Sequence, residues 1–181
     1  RFIRVNGTAA SGLVRLTATG TLDATFLQNL GAADGMYRPR LLPNGQLLVI
    51  STGSAPIQAG GISRASVLRL NADGTADASF NPGAGATSNG QPIFVDDLLL
   101  LPNGQLIVVG PFSHFNGVPA NRIVRLNANG SVDPTFASGS GADQEIQTVV
   151  GLPNGQLLIG GYFTRLCLKR GVAYLRVWQH G

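Results

Sequence analysis

The chain has 181 residues, 25 of them glycine, with 44% apolar and only 12% charged residues; this is too apolar for a disordered chain and suits short strands broken by glycine turns. The net charge of +4 comes from scattered arginines, Lys169 being the only lysine, so no basic track for a phosphate backbone exists and no nucleic-acid partner is expected. One cysteine, Cys167, excludes an intrachain disulfide and a cysteine zinc cluster, and no uncharged apolar run reaches the roughly 18 residues that would span a membrane.

The chain begins at Arg1 in mid-pattern, which suggests a processed or truncated piece. Residues 2–7 match residues 112–117, both starting with Phe and closing in Asn-Gly. Residues 13–16 then alternate and contain Arg-Leu, a pattern repeated at 67–70 and 123–126 and, as Arg-Val, at 174–177. The arginines Arg15, Arg69, Arg125 and Arg176 share this repeat position and read as rungs on a strand surface. A glycine turn follows at Gly20, Gly74 and Gly130, leading into Asp-x-(Thr/Ser)-Phe at 23–26, 77–80 and 133–136.

The next landmark is Leu-Pro-Asn-Gly-Gln-Leu, at 42–47, 101–106 and 152–157. Pro43, Pro102 and Pro153 preset φ near −65°, while Gly45, Gly104 and Gly155 accept the positive φ of a hairpin turn. Apolar runs flank each copy, so each predicts two strands joined by a tight turn. Consecutive copies begin 59 and 51 residues apart. Two departures interrupt the pattern: residues 53–61 rebuild one loop, and residues 166–170 replace the Asn-Gly loop of the last copy.

Four short antiparallel strands per unit of about 50–59 residues predict an all-β fold of β-propeller-type blades. A helical solenoid is excluded by the period of 2, and the coils of a β-solenoid would be shorter and more regular. The predicted division is one repeat domain, 1–181, with a partial blade at 1–35, blades at 36–90 and 91–141, and a partial blade at 142–181. About three blades are too few to close a ring, and exposed edges attract partners. The expected partners are therefore other copies, as a homo-oligomer or polymer, or the remainder of a longer propeller.

The run Arg-Leu-Asn-Ala-Asn-Gly-Ser-Val-Asp-Pro-Thr-Phe at 125–136, followed by Leu-Pro-Asn-Gly-Gln-Leu-Leu-Ile-Gly-Gly-Tyr-Phe at 152–163, resembles the delta-60 repeat. The resemblance implies a β-propeller fold and a place in a large secreted or surface protein of bacteria. The family brings no established activity or catalytic residues, so the resemblance implies no chemistry.

The recurrent Asp23, Asp77 and Asp133 admit two readings. A calcium loop needs oxygen ligands, but Thr17 and Thr19 stand where the first copy would require carboxylates or amides, and no copy has a closing Glu. An Asx-type turn into Thr/Ser-Phe needs nothing more and is preferred. Phe26, Phe80 and Phe136, with Phe112 and Phe163, could form a sugar-binding rim; their recurrence favours packing between blades. His114 and His180 lack metal-ligand spacing, Ser113 has no nucleophile elbow, and the glycine-rich loops at 83–86 and 139–141 lack the Lys of a phosphate loop. The acidic pairs Asp96/Asp97 and Asp143/Glu145 read as solvent-facing edge guards in preference to glycosidase carboxylates. Cys167 reads as a small buried hydrophobe. No catalytic residue, metal site or cofactor is expected. The function predicted is a non-enzymatic extracellular or cell-surface scaffold that self-associates through its incomplete terminal blades, as a surface or filament subunit; the alternative is a module that binds a glycan or protein ligand on its variable loops.

Overall fold

The computed structural model describes residues 4–5, 7–9, 12–31, 37–53, 56–136 and 138–167, and the backbone of 175–178. Three three-stranded sheets organise it. The first joins Tyr37–Leu41, Leu47–Ser51 and Val67–Leu70; the second joins Asp97–Leu100, Leu106–Val109 and Ile123–Leu126; the third joins Ile146–Gly151, Leu157–Gly161 and Leu175–Trp178. In each, the Leu-Pro-Asn-Gly-Gln turn connects the first two strands. Leu101 N–H donates to Gln105 at 2.8 Å and Gly104 N–H to Leu101 at 2.9 Å, a three-residue loop that needs positive φ at Gly104, where φ is 82°. The Arg-Leu-x-Ala-x-Gly stretch uses the same closure: Asn127 N–H donates to Ser131 and Gly130 N–H to Asn127, each at 2.8 Å.

The second strands of the first two sheets are buried on both faces, so the core lies between units. Along the second strand of the second sheet, Leu106 and Val108 pack toward the first sheet, whereas Ile107 and Val109 pack toward the third. The first sheet repeats this, with Leu48 and Ile50 facing forward and Val49 facing back onto Phe26 and Leu30. Period-2 alternation therefore separates two apolar faces instead of an apolar face from a polar one. This is blade-on-blade stacking. The structure is mostly strand in many small antiparallel sheets, a β-propeller-type all-β fold.

Several elements differ in detail from the sequence expectation. The fourth strand of each unit is a single bridge: Leu16 to Leu22, Leu70 to Ala76 and Leu126 to Val132. Residues 13–15 extend no ladder, and a helix, Ala24–Leu30, follows Asp23, whose carboxylate caps it by accepting from Phe26 N–H. Only the first copy can continue helically: Pro82 and Gly83 break the second, and Gly139 follows closely in the third. The rebuilt loop contains the hairpin Ile57–Ala59 and Ile62–Arg64. In the third sheet Leu175–Trp178 runs parallel to Leu157–Gly161, where the matching strands of the other sheets are antiparallel.

Candidate functional site

The side chains singled out by recurrence assemble into one repeated station. Arg69 Nε donates to Asp77 Oδ2 at 2.9 Å, and its guanidinium lies 4.9 Å from the centroid of the Phe80 ring. Arg125 does the same with Asp133 at 2.7 Å and Phe136 at 5.1 Å, and Arg15 with Asp23 at 3.0 Å and Phe26 at 4.4 Å. The eight-residue separation follows from the turn, which folds the Asp segment back beside the Arg strand. Asp77 N–H donates to Arg69 O at 2.9 Å.

Every carboxylate oxygen in these stations is occupied. Asp133 Oδ1 accepts from Thr135 N–H at 2.8 Å and from its hydroxyl at 2.7 Å, while Oδ2 accepts from Gln105 at 2.7 Å and from Arg125. Burial opposes the charge of Asp133, but the bonds from Thr135, Arg125 and Gln105 outweigh it and hold the pKa down to about 2. Asp77 is lowered by the same kinds of partner, and Asp23 chiefly by Phe26 N–H and then Arg15. Such groups are poor proton carriers and have no free lone pair aimed at a cation. Phe26, Phe80, Phe112 and Phe163 are buried, as is Phe136 at 9% exposure. They present no rim to a sugar.

The stations also connect successive units. Arg69 Nη1 donates to the carbonyl of Ala128 at 2.8 Å in the next unit's turn, and Arg15 Nη1 makes the matching contact with Ala72. Gly74 comes so close to Phe26 that a Cβ there would stand 2.7 Å from its carbonyl oxygen; Gly130 approaches Asn81 at 2.8 Å. Sequence reasoning found the arginines but read them as surface rungs. Their spacing of eight from the Asp was the available signal.

A second site lies where the first strands of the three sheets meet. An open groove of about 440 Å³ is bounded by Arg40, Leu41, Asp97, Leu99, Thr148 and Val150 among others. Asp97 ties all three sheets together. Its Oδ1 accepts from Arg40 of the first sheet at 2.9 Å, and its Oδ2 from the Thr148 hydroxyl of the third at 3.0 Å and from Val149 N–H at 3.2 Å. Asp97 is buried, which corrects the solvent-facing reading of this acidic pair. Asp96 is half-buried, and burial together with neighbouring Glu145 pushes its pKa up to about 7. Neither Asp96 nor Glu145 lines the groove, so the raised Asp96 carboxyl does not face it.

The remaining candidates stand apart. Asp143 caps the segment opposite it, accepting from Thr164 and Arg165 N–H at 2.9 and 3.0 Å. His114 is exposed and shares a 2.9 Å bond with Ser113, and among the described residues no carboxylate bonds to it to complete a triad. His180 lies outside the described residues. Cys167 is exposed, correcting its reading as a buried hydrophobe. Among the described residues no group of three or more His, Cys, Asp or Glu could hold a metal ion, and no helix is long and apolar enough to cross a membrane. Pro43, Pro102 and Pro153 occupy the hairpin turns with Gly45, Gly104 and Gly155.

The family model described as a domain of unknown function (DUF5122) β-propeller matches residues 1–26, 42–80 and 101–136, more than half of the chain. Neither the curated proteins nor the solved structures include a significant match.

Proposed function

Because this chain belongs to the DUF5122 β-propeller family, we propose that it is a non-enzymatic repeat scaffold whose terminal units associate with other copies. The observation that carries this reading is the placement of the core. Each apolar cluster is built from the facing sides of two successive units, so a unit without a neighbour leaves a face uncovered. Leu16 is 51% exposed, while the residues at its repeat position, Leu70 and Leu126, are fully buried. The delta-60-like motifs support an extracellular or cell-surface setting in bacteria, with assembly as an oligomer or filament. Light scattering across a concentration series tests the reading: mass above the monomer is expected, and a strict monomer at the highest concentration refutes it.

The groove supports a second reading, a module that binds a glycan or protein segment. Leu41 and Val150, 75% and 49% exposed, flank the charged Arg40–Asp97 pair on this surface, combining apolar contact with polar anchoring. A glycan array and peptide library would show saturable binding that Leu41→Asp abolishes. No hits in either would dismiss it.

A further inference from the structure

We infer that Asn89 is a site of self-modification: the backbone nitrogen of Gly90 displaces its side-chain amide, leaving aspartate or isoaspartate at the tip of the hairpin formed by residues 86–92. The inference does not depend on the scaffold reading.

Asn-Gly occurs seven times in the chain, and six of the pairs lie among the described residues. Asparagine is a thermolabile residue, and a following glycine leaves the attacking nitrogen unshielded because it carries no side chain. The reaction consumes only water. The glycine nitrogen bonds to the asparagine Cγ, the Cγ–Nδ2 bond breaks, and ammonia leaves with the proton of the glycine N–H. Water then opens the cyclic imide at either carbonyl, and nothing is oxidised or reduced.

Four of the six pairs are held at both reacting groups. Gly104 N–H donates to Leu101 O at 2.9 Å. Asn103 Oδ1 accepts from Gln105 N–H at 3.1 Å, and Asn103 Nδ2 donates to Gln105 Oε1 at 2.9 Å. Asn44 and Asn154 repeat all three bonds in their own turns. Asn129 Oδ1 accepts from Ser131 N–H and hydroxyl at 3.0 and 2.8 Å, and Gly130 N–H donates to Asn127 at 2.8 Å. In each turn the nucleophile is engaged with a carbonyl and the amide is tied down.

Asn116 and Asn89 form a matched pair. Both open a two-residue hairpin turn, between Phe115 and Val118 and between Ser88 and Gln91. Their φ values are 48° and 50°, followed by 76° and 73° at Gly117 and Gly90, the left-handed pair that such turns require. Both turns are exposed, and neither glycine has an atom within 4 Å of a Cβ position. Neither glycine N–H has an acceptor among the described residues. The two differ at the amide. Asn116 Oδ1 accepts from Ala84 N–H at 3.0 Å, whereas the Asn89 side chain makes no hydrogen bond among the described residues. Its amide is free to swing onto Gly90.

Isoaspartate routes the main chain through the former side chain and lengthens the turn by one methylene. Loop length fixes the register of a hairpin, so the pairing of Ser88 with Gln91 would be disturbed. The strand Ala86–Ser88 also pairs with His114–Phe115, which carries the change to the joint between two units.

Peptide mapping by mass spectrometry on the folded full chain, held in mildly alkaline buffer and labelled with an isoaspartyl methyltransferase, tests this. Asn89 should convert first, Asn116 next, and the four doubly held residues last. One net hydrogen bond is worth about twofold to tenfold. Asn89 should therefore convert at least about twofold faster than Asn116 and at least about tenfold faster than Asn103. In urea most of this spread should vanish. Asn89→Gln should abolish the early product and leave conversion at Asn116 unchanged. Equal rates at Asn89 and Asn103 in the folded chain would overturn the inference, and so would a lead for Asn89 that persists undiminished in urea.

Discussion

Gln105 donates to Asp133 across 2.7 Å, joining the hairpin turn of its unit to the segment that ends in Phe136. The same amide group reaches Asn127 at 3.2 Å, and Gln46 repeats both bonds with Asn71 and Asp77 at 3.0 and 2.9 Å. The two glycine turns of a unit are thus held side by side. The repeated Gln is chosen for its N–H donors, since both partners present oxygen.

Gln105→Glu removes those donors and sets a second carboxylate against Asp133. The expected cost is about 1–3 kcal/mol at neutral pH, the penalty of leaving acceptors unpaired with like charges adjacent. Part of it should return below roughly pH 5 as the new carboxyl takes up a proton. Gln105→Ala should cost less at neutral pH and show no such recovery. Urea unfolding of both variants at two pH values measures the difference.

Arg69→Ala severs an ion pair, the Phe80 ring contact and the carbonyl of the next unit together. A loss of about 2–4 kcal/mol is expected, because Asp77 keeps its other partners but loses its counter-charge in a mostly buried setting. Arg69→Lys should recover less than half, since an ammonium cannot supply the planar fork that reaches three acceptors. Arg15→Ala should cost less than Arg69→Ala, its side chain being 42% exposed against 17%. Denaturant midpoints rank the three.

How much of this was legible beforehand differs by level. The hairpins could be read because Pro, Asn and Gly each have a local backbone reason to stand in Leu-Pro-Asn-Gly, and blade stacking followed from the recurrence of that unit. The Asp23 helix was not legible in the repeat pattern, since it arises from the lack of a Pro or Gly in residues 24–30, a difference between copies rather than a shared motif. Arg69 was visible as a recurring residue, but its partner Ala128 is 59 residues away, and a contact to a backbone carbonyl leaves no side-chain signature. Asp97 was misread for a related reason: its partners Arg40 and Thr148 come from two other sheets.

Gly74 and Gly20 hold the same turn position with φ of 93° and 80°, yet only Gly74 is pressed against a neighbour. Gly20→Ala should cost about 1–2 kcal/mol, the strain of a side chain at positive φ. Gly74→Ala should cost about 1–3 kcal/mol more, because its Cβ would stand 2.7 Å from Phe26 O and 2.9 Å from the ring. Equal losses in thermal unfolding would mean that the units separate easily at this contact.

Asp96 gives the fold a dependence on pH of its own. Its folded pKa is raised to about 7 from 3.8, first by burial and then by Glu145, with Asp97 adding repulsion and Arg38 opposing it. A carboxyl raised on folding stabilises the folded state in its protonated form. That contribution is fully present below pH 3.8, the unfolded value, and is lost as pH rises through about 7. Asp133 works in the opposite sense: its folded pKa of about 2 lies below 3.8, so its contribution is present above the unfolded value and lost as pH falls through about 2. Asp96→Asn keeps the shape and removes the charge. The variant should melt at a higher temperature than the parent at pH 8, and the gap should close toward pH 4, where the parent's Asp96 is already neutral. Melting curves at half-unit pH steps would show it. A gap that stays constant from pH 4 to pH 8 would mean that Asp96 is as charged in the fold as in the unfolded chain.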